Sequence, residues 1–190
     1  MEDLVLIKPN LEYKKQAIEY VQEFIDYDSI IYGSSGLKRY INNYEEWLNK
    51  LDEYRNMKVT LKKVPSDTFF LIRLSDNKLI GIITIRFLLN ASLLEHGGHI
   101  GYSIRPTERN KGYATKQLYL ALKQCYDIGI EKVLITCDST NIASSKVIEK
   151  MYGSLQNEVY DSIDKIYTKR YWIDVLYSLE KFELAKSKKM

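Results

Sequence analysis

The sequence predicts a single α/β domain of the α+β type, in which a mixed, mostly antiparallel sheet of about seven strands is flanked by about four helices. Three observations lead to this prediction. The 190 residues suffice for one full core. Short apolar runs alternate with amphipathic helical stretches. One strand–helix–strand unit in the second half implies a parallel step, because such crossovers are almost always right-handed. We therefore interpret residues 1–190 as one domain.

The composition limits the kinds of molecule that this protein is expected to bind. Hydrophobic residues make up 45 % of the chain and charged residues 28 %, and the net charge is only +3, without a basic stripe. These values are typical of a globular protein and argue against a nucleic-acid partner. No window approaches the roughly 18 apolar residues of a membrane span. We expect no membrane partner, and a homodimer stays open.

The first residues and the cysteines predict a cytoplasmic protein without a metal. The chain begins acidic and reaches Pro9 early, which is not typical of a signal peptide. Cys125 and Cys137 are predicted to be reduced core residues, because no Cys/His spacing typical of a zinc site accompanies them.

The N-terminal third is predicted to hold one strand and two helices. Leu4–Lys8 is a short apolar run closed by proline, as an edge strand would be. Asn10 is predicted to cap a helix that ends near Asp28. Ser29–Gly36 is predicted to be a loop, because it contains two glycines and three serines. A second amphipathic helix is predicted over Lys38–Tyr54.

The middle of the chain is predicted to be a three-stranded meander. Thr68–Leu74 and Leu79–Leu88 are apolar runs separated by the turn Ser75–Lys78, which predicts an antiparallel hairpin. Asn90–Gly97 is predicted to be a loop, and Gly98–Arg105 the next strand.

The last third is predicted to alternate helices and strands. Gly112–Ile128 has helical periodicity and is ended by Gly129, and Lys132–Cys137 is apolar enough for a strand buried on both faces. A helix over Ala143–Met151, stopped by Gly153, follows.

The chain is predicted to close with two strands. Residues 154–160 and 166–176 are predicted to form an antiparallel pair joined by the turn Asp161–Lys165. The terminal K-S-K-K-M is predicted to be a frayed end.

The stretch Gly98–Thr115, G-H-I-G-Y-S-I-R-P-T-E-R-N-K-G-Y-A-T, carries the clearest functional signal. A strand stops at Pro106, a turn containing Gly112 follows, and a helix begins. The first N–H groups of a helix lack internal partners and carry partial positive charge, so this turn is predicted to bind an anion, the pyrophosphate of a coenzyme. Neither a G-x-G-x-x-G nor a P-loop motif is present.

These residues resemble a known family. R-x-x-G-x-A at 109–114 and N-x-x-S at 141–144, in this order of elements, resemble the GNAT family of acetyl-CoA-dependent N-acetyltransferases. The resemblance covers essentially the whole chain. It is closest to a bacterial group of predicted acetyltransferases that carry G-G-H-I-G-Y-x-I-R-P and N-I-A-S-x-K-V-I-E-K.

The resemblance implies a site for acetyl-CoA as co-substrate. The main chain of Ile104 and Arg105 would hydrogen-bond the pantetheine arm, provided that the two strands part after Ile104 and Val133. Asn141 and Ser144 would contact or flank the coenzyme; the competing interpretation of Asn141 is a plain helix cap or turn residue. The pyrophosphate would lie on the backbone amides of one run: Arg109, Asn110, Lys111, Gly112, Tyr113, Ala114 and Thr115.

The resemblance also implies catalytic candidates. His99 occupies the strand position where many relatives carry a glutamate base, with Glu95 and His96 as alternatives. A hydrogen-bonded strand residue without a catalytic role is the competing interpretation of His99. Ile148 stands where many relatives have a tyrosine acid, so Tyr152, one turn further on, is the candidate proton donor, or else a packing residue.

The implied activity is transfer of an acetyl group from acetyl-CoA to a primary amine of a small molecule, peptide or protein. The alternative is a non-catalytic acyl-CoA-binding sensor or interaction module on the same fold. Asp26, Asp28 and Glu95 could attract a cationic acceptor, or could be ordinary surface charges.

Overall fold

A computed structural model describes residues 3–61, 63–162 and 165–188, and within them seven strands and five α-helices. The strands are β1 Leu4–Ile7, β2 Ser66–Arg73, β3 Lys78–Arg86, β4 Ile100–Ile104, β5 Lys132–Asp138, β6 Ser154–Asp161 and β7 Ile166–Asp174. The helices are α1 Lys14–Asp26, α2 Tyr44–Asn56, α3 Tyr113–Asp127, α4 Ile142–Lys150 and α5 Val175–Ser187. The predicted α+β class is confirmed. That residues 1–190 form one domain stays a prediction.

The strands divide into two antiparallel sheets. One has the order β1-β2-β3-β4 and the other β5-β7-β6. The prediction of a single mixed sheet with a parallel β4–β5 ladder is therefore corrected, because the described strands form two sheets and no such ladder. The two sheets touch at β4 and β5, and this junction forms the site described below.

Helices cover both faces of the first sheet. Alternate side chains of a strand point to opposite faces. Phe70, Ile72 and Ile82 pack under α1 and α2, whereas Leu71 and Ile80 pack with the start of α3. This arrangement leaves the β4 edge as the place where the two sheets meet.

The second helix begins later than predicted. A short 3-10 turn at Leu37–Tyr40 precedes it, and α2 starts only at Tyr44. Asn43 is the N-cap residue of α2: its carbonyl accepts from the Glu46 N–H, and its side chain donates to Glu46 Oε2 at 2.9 Å without capping a backbone N–H. Asparagine favours such caps over helix interiors.

The predicted loop Asn90–Gly97 contains a π-helical segment at Leu93–Gly97. Asn90 Oδ1 accepts from the Leu93 N–H at 3.0 Å, which satisfies one donor at the start of the segment. The predicted turn Asp161–Lys165 includes residues 163 and 164, which lie outside the described residues.

The fifth helix corrects both the predicted helix count and the frayed end. Asp174 Oδ1 caps α5 by accepting from the Tyr177 N–H at 3.0 Å. Ser178 is buried and donates to the Met151 carbonyl at 2.7 Å, which ties α5 to the end of α4. Residues 189 and 190 of the predicted frayed end lie outside the described residues.

Candidate active site

The two sheets are joined at one backbone position and separate immediately afterwards. The His99 N–H donates to the Leu134 carbonyl at 2.7 Å, and the Leu134 N–H donates to His99 Nδ1 at 3.0 Å. Gly98 precedes this junction with φ +62°, and a Cβ there would lie 2.6 Å from the Leu134 carbonyl oxygen. The predicted parting after Ile104 and Val133 is therefore corrected, because the opening begins several residues earlier on β4.

One edge of the opening is the backbone of β4. The Arg105 N–H donates to the Ile80 carbonyl at 2.8 Å, and the Arg105 carbonyl accepts from the Glu108 N–H at 2.9 Å. The Arg105 N–H is therefore not available to pantetheine, whereas its carbonyl oxygen keeps a second lone pair, so pantetheine binding by the Arg105 carbonyl stays a prediction. Since successive strand residues alternate in direction, Ile104 turns its N–H and carbonyl towards the opening.

The turn before α3 has the geometry of an anion site. Gly112 has φ +81°, supplies no side-chain cap, and has no atom within 4 Å of an added Cβ. Asn110 also has a positive φ, +63°. The N–H groups of Tyr113, Ala114 and Thr115, in the first turn, have no acceptor within the helix. Coenzyme binding by these amides stays a prediction.

The cationic side chains of the turn are held by protein groups. Arg109 Nη2 donates to Ser29 Oγ at 2.8 Å, and Lys111 Nζ donates to the buried Glu108 carboxylate at 2.8 Å. Any anion at Gly112 would therefore be bound mainly by backbone amides, with these two charges as neighbours.

Asn141 and Ser144 lie on the opposite side of the opening, at the start of α4. Asn141 Oδ1 accepts from the Ser144 N–H at 3.0 Å, which is the capping role. The Asn141 side-chain NH₂ has no hydrogen-bond partner among the described residues and stays available to a ligand.

Tyr102 is a residue that sequence reasoning missed. Its hydroxyl lies 3.1 Å from Ser144 Oγ, so β4 and α4 are bridged across the opening. Burial raises the pKa of Tyr102, and the phenol keeps its proton at neutral pH. Strand alternation, which places Tyr102 on the same face as Ile100 and Ile104, is the signal that could have identified it.

The loop between α1 and α2 covers the other face of β4. The Gly33 carbonyl accepts from Thr84 Oγ1 at 2.8 Å, and the Tyr32 carbonyl accepts from Ser103 Oγ at 2.7 Å. Tyr32 Oη reaches Asp138 Oδ2 at 3.4 Å, at the end of β5. A cavity of about 690 Å³ lies beneath this loop.

A family model described as "Acetyltransferase (GNAT) domain" matches residues 17–152. The chain belongs to the GNAT acetyltransferase family. Family membership confirms the predicted resemblance and the class of acetyl-CoA-dependent acetyltransferase. The comparison with curated protein sequences finds no match.

Solved GNAT structures share the fold at low sequence identity. Mycobacterium smegmatis RimJ in complex with CoA-disulfide is 15 % identical, with a TM-score of 0.70 over 94 % of this chain and 88 % of that one. The microcin C7 self-immunity acetyltransferase MccE, in complex with acetyl-CoA and AMP, is 13 % identical, with a TM-score of 0.63 over 90 % and 92 %. A Bacillus anthracis GNAT acetyltransferase is 19 % identical, with a TM-score of 0.60 over 93 % and 98 %.

In this GNAT domain, Tyr152 lies away from the opening, which corrects its predicted role as proton donor. Its hydroxyl donates to the Lys181 carbonyl on α5 at 3.4 Å, and its ring packs edge-on against Tyr177. The packing alternative is therefore the correct one. The contacts of Tyr152 depend on α5, a helix that the local sequence pattern did not indicate.

His99 is a structural residue, and its predicted role as base is contradicted by its hydrogen bond. The ring is 8 % exposed, and Nδ1 accepts from the Leu134 N–H. Burial lowers its pKa to about 4, and the charge of Arg86 adds to that effect. The ring is neutral at pH 7, carries its proton on Nε2, and has no lone pair free to accept another.

His99 should make the stability of this GNAT domain depend on pH. Its pKa of about 4 lies below the 6.5 of an unfolded histidine, so the unfolded state binds the proton first. We expect roughly 3 kcal/mol of stability, fully present above pH 6.5, to be lost as the pH falls towards 4. Urea unfolding at a series of pH values measures it.

The matched variants for this experiment are His99→Asn and His99→Ala. Asparagine offers an oxygen in place of Nδ1 and does not titrate, so its stability should change less between pH 7 and pH 4.5 than that of the wild type. Alanine leaves the Leu134 N–H unpaired and should be less stable at both pH values. An unchanged pH dependence in His99→Asn would contradict the assignment.

His96 lies at the β5 side of the opening. Its carbonyl accepts from Thr136 Oγ1 at 2.8 Å, two residues beyond the Leu134 junction. Its Nδ1 lies 3.5 Å from Asp161 Oδ2, and its Nε2 lies 3.7 Å from Glu95 Oε2. Glu95 itself is more than half exposed, and a catalytic role for it stays a prediction.

Neither a metal-binding cluster nor a membrane-spanning helix occurs within the described ranges. Residues 3–61, 63–162 and 165–188 contain no group of three or more His, Cys, Asp or Glu side chains that could hold a metal ion. None of the helices within these ranges combines the length and apolar character of a membrane span. Cys125 and Cys137 are free and buried, as predicted.

Proposed function

We propose that the protein transfers the acetyl group of acetyl-CoA to a primary amine of a small molecule, a peptide or a protein. The observation that carries the proposal is the opening between β4 and β5 beside the N-terminus of α3, which lacks a side-chain cap. The Ile104 N–H points towards this opening, and the Ile104 carbonyl accepts from Arg109 Nε at 3.3 Å. A coenzyme that spans this opening would place its pyrophosphate on the amides around Gly112 and its thioester between the sheets.

The proposed transfer needs an attacking amine, an oxyanion donor and a proton for the thiolate. Holding the amine and thioester together supplies much of the rate. The amine nitrogen forms a bond to the thioester carbon, the oxyanion accepts from a backbone N–H such as that of Ile104, and collapse breaks the carbon–sulfur bond. We assign the thiolate proton to Tyr102, whose neutral phenol lies in the opening beside Ser144.

Tyr102→Phe tests the proposed acid. We expect kcat to fall about 100-fold, because a general acid contributes at least about that factor, with little change in the KM for acetyl-CoA. Release of free thiol measures both parameters. Tyr126→Phe is the matched control, because Tyr126 is exposed on α3. A kcat equal to that of the wild type would remove Tyr102 from the mechanism.

We assign the base to His96 instead of His99. Support comes from its position beside the opening and from the carboxylates of Asp161 and Glu95 near its two nitrogens. His96→Gln should lower kcat/KM, whereas His99→Asn should keep it close to the wild-type value. If His96→Gln keeps the wild-type kcat/KM, the base is another group.

The activity itself is tested by incubation with acetyl-CoA and a broad panel of amines, with free thiol as the readout. Acetyl-CoA-dependent turnover of at least one amine is the expected result. Calorimetric binding of the coenzyme with no turnover of any amine would favour the alternative, a non-catalytic acyl-CoA sensor or interaction module. Ile148 stands where many relatives have a tyrosine acid, and this absence favours the non-catalytic alternative. The Tyr102 hydroxyl counts against that alternative because it offers another proton donor.

A further inference from the structure

The cavity beneath the α1–α2 loop is basic, whereas Asp26, Asp28 and Glu95 left open a cationic acceptor or ordinary surface charges. Among the described residues that line it, Asp28 is the one carboxylate. Asp26 is not part of the lining, and its carboxylate accepts from Gln22. The cationic residues of the lining are Lys38, Arg39, Lys63 and Arg86.

Arg86 forms the innermost charge of this basic cavity. Its Nη1 donates to the carbonyls of Gly97 and Gly98 at 3.0 and 2.9 Å. Its Nε and Nη2 make no hydrogen bond within the described ranges, and no carboxylate there lies within ion-pair distance. Burial lowers the pKa of Arg86, but a guanidinium stays charged at neutral pH. A desolvated cation of this kind is stabilised by an anion.

The remaining cations lie at the rim. Lys38 and Arg39 are exposed and make no ion pair or side-chain hydrogen bond with any described residue. Lys63 Nζ lies 4.7 Å from the centre of the Tyr54 ring and 3.3 Å from its hydroxyl. These groups give the cavity a positive field that repels a polyamine and attracts an anion.

The cavity is close to the reacting end of the opening. The two carbonyls that hold Arg86 belong to Gly97 and Gly98, which directly precede the His99–Leu134 junction where the sheets part. We propose that Arg86, with Arg39, Lys38 and Lys63 at the rim, binds a carboxylate or phosphate of the acceptor. The acceptor is therefore an amine that also carries a negative charge. This inference rests on the proposed acetyl transfer.

The proposed anion site is tested by comparing the kcat/KM of matched pairs of amines that differ in charge. Ionic strength and free-amine concentration are held constant. O-phosphoethanolamine is compared with ethanolamine, β-alanine with β-alaninamide, and spermidine serves as the cationic arm. We expect the anionic member of at least one pair to be preferred about tenfold or more, and which pair it is distinguishes phosphate from carboxylate. Preference for the neutral amines or for spermidine would overturn the proposal.

Substitutions in the basic cavity test whether its charges cause the preference for anionic amines. Arg39→Gln/Lys63→Gln and Arg86→Gln should each reduce the preference for the anionic amine to about twofold or less. Lys132→Gln, which removes an exposed charge on β5 outside the cavity, should keep it. The rim double variant is the informative one if Arg86→Gln does not fold. A preference that is unchanged in the double variant would overturn the assignment to this cavity.

A binding readout separates this inference from the proposed activity. Inorganic phosphate is titrated into protein already saturated with coenzyme A, so that the turn at Gly112 is occupied, and binding is followed by ³¹P NMR. If no amine is acetylated, phosphate binding that weakens about tenfold or more in Arg39→Gln/Lys63→Gln still supports the anion site. Equal phosphate binding by wild type and double variant would overturn it, whatever the activity.

Discussion

Gly112→Val is expected to reduce coenzyme A affinity by at least about 100-fold. Gly112 has φ +81°, which a β-branched residue adopts only with strain of about 1–3 kcal/mol. Apart from its chain neighbours, no protein atom lies within 4 Å of an added Cβ, so a valine side chain would project into the space beside the amides of the turn. A valine side chain would fill that space, and relief of its strain would turn the amides of the first α3 turn away. Isothermal titration with coenzyme A measures the loss.

Gly129→Val is a matched control for backbone strain. Gly129 ends the same helix with φ +78° and likewise has no atom within 4 Å of an added Cβ. Both variants should lose a similar free energy of unfolding, but only Gly112→Val should lose coenzyme binding. Near-normal affinity in Gly112→Val would show that the pyrophosphate site is elsewhere.

Gly33→Ala is expected to have the largest effect on the acceptor side. An alanine Cβ would lie 1.9 Å from the Gly101 carbonyl oxygen and 2.7 Å from the Tyr102 nitrogen, which are backbone atoms of β4 that cannot move aside cheaply. The φ of +68° adds strain. We expect a loss of roughly 2–5 kcal/mol in the free energy of unfolding, because overpacking and backbone strain add.

Gly33→Ala should also raise the KM for the acceptor at least about tenfold, because the displaced α1–α2 loop lines the cavity. Gly36→Ala tests for a general loop effect. Gly36 has φ +80° in the same loop but open space around an added Cβ, so this variant should lose only about 1–2 kcal/mol and keep its KM. Equal stability of the two variants, by urea unfolding, would contradict the close packing of Gly33 on β4.

Local pattern predicted most of the elements. The periodicity of α3, the glycine that ends it and the hairpin β2–β3 each follow from neighbours in sequence, and the structure places them within a few residues of the prediction. The turn at Gly112 was found for the same reason, since a strand end, a glycine and a helix start are local signals.

Properties that depend on distant contacts were not predictable in this way. Whether His99 is a base or a junction residue depends on Leu134, 35 residues away. Tyr152 points away from the opening because it packs on α5, and the local pattern predicts the end of a strand and a tail where α5 lies. The basic cavity combines Arg39 with Lys63 and Arg86, which are remote from one another in the sequence.

A crystal structure of the protein in complex with acetyl-CoA tests most directly whether the opening between β4 and β5 binds the coenzyme. We expect the pyrophosphate to be bound by the amides from Gly112 to Thr115 and the pantetheine arm to lie along Ile104. We expect the acetyl group to lie between β4 and β5, near Tyr102. Coenzyme bound at another surface, or an opening that stays empty at saturating acetyl-CoA, would contradict it.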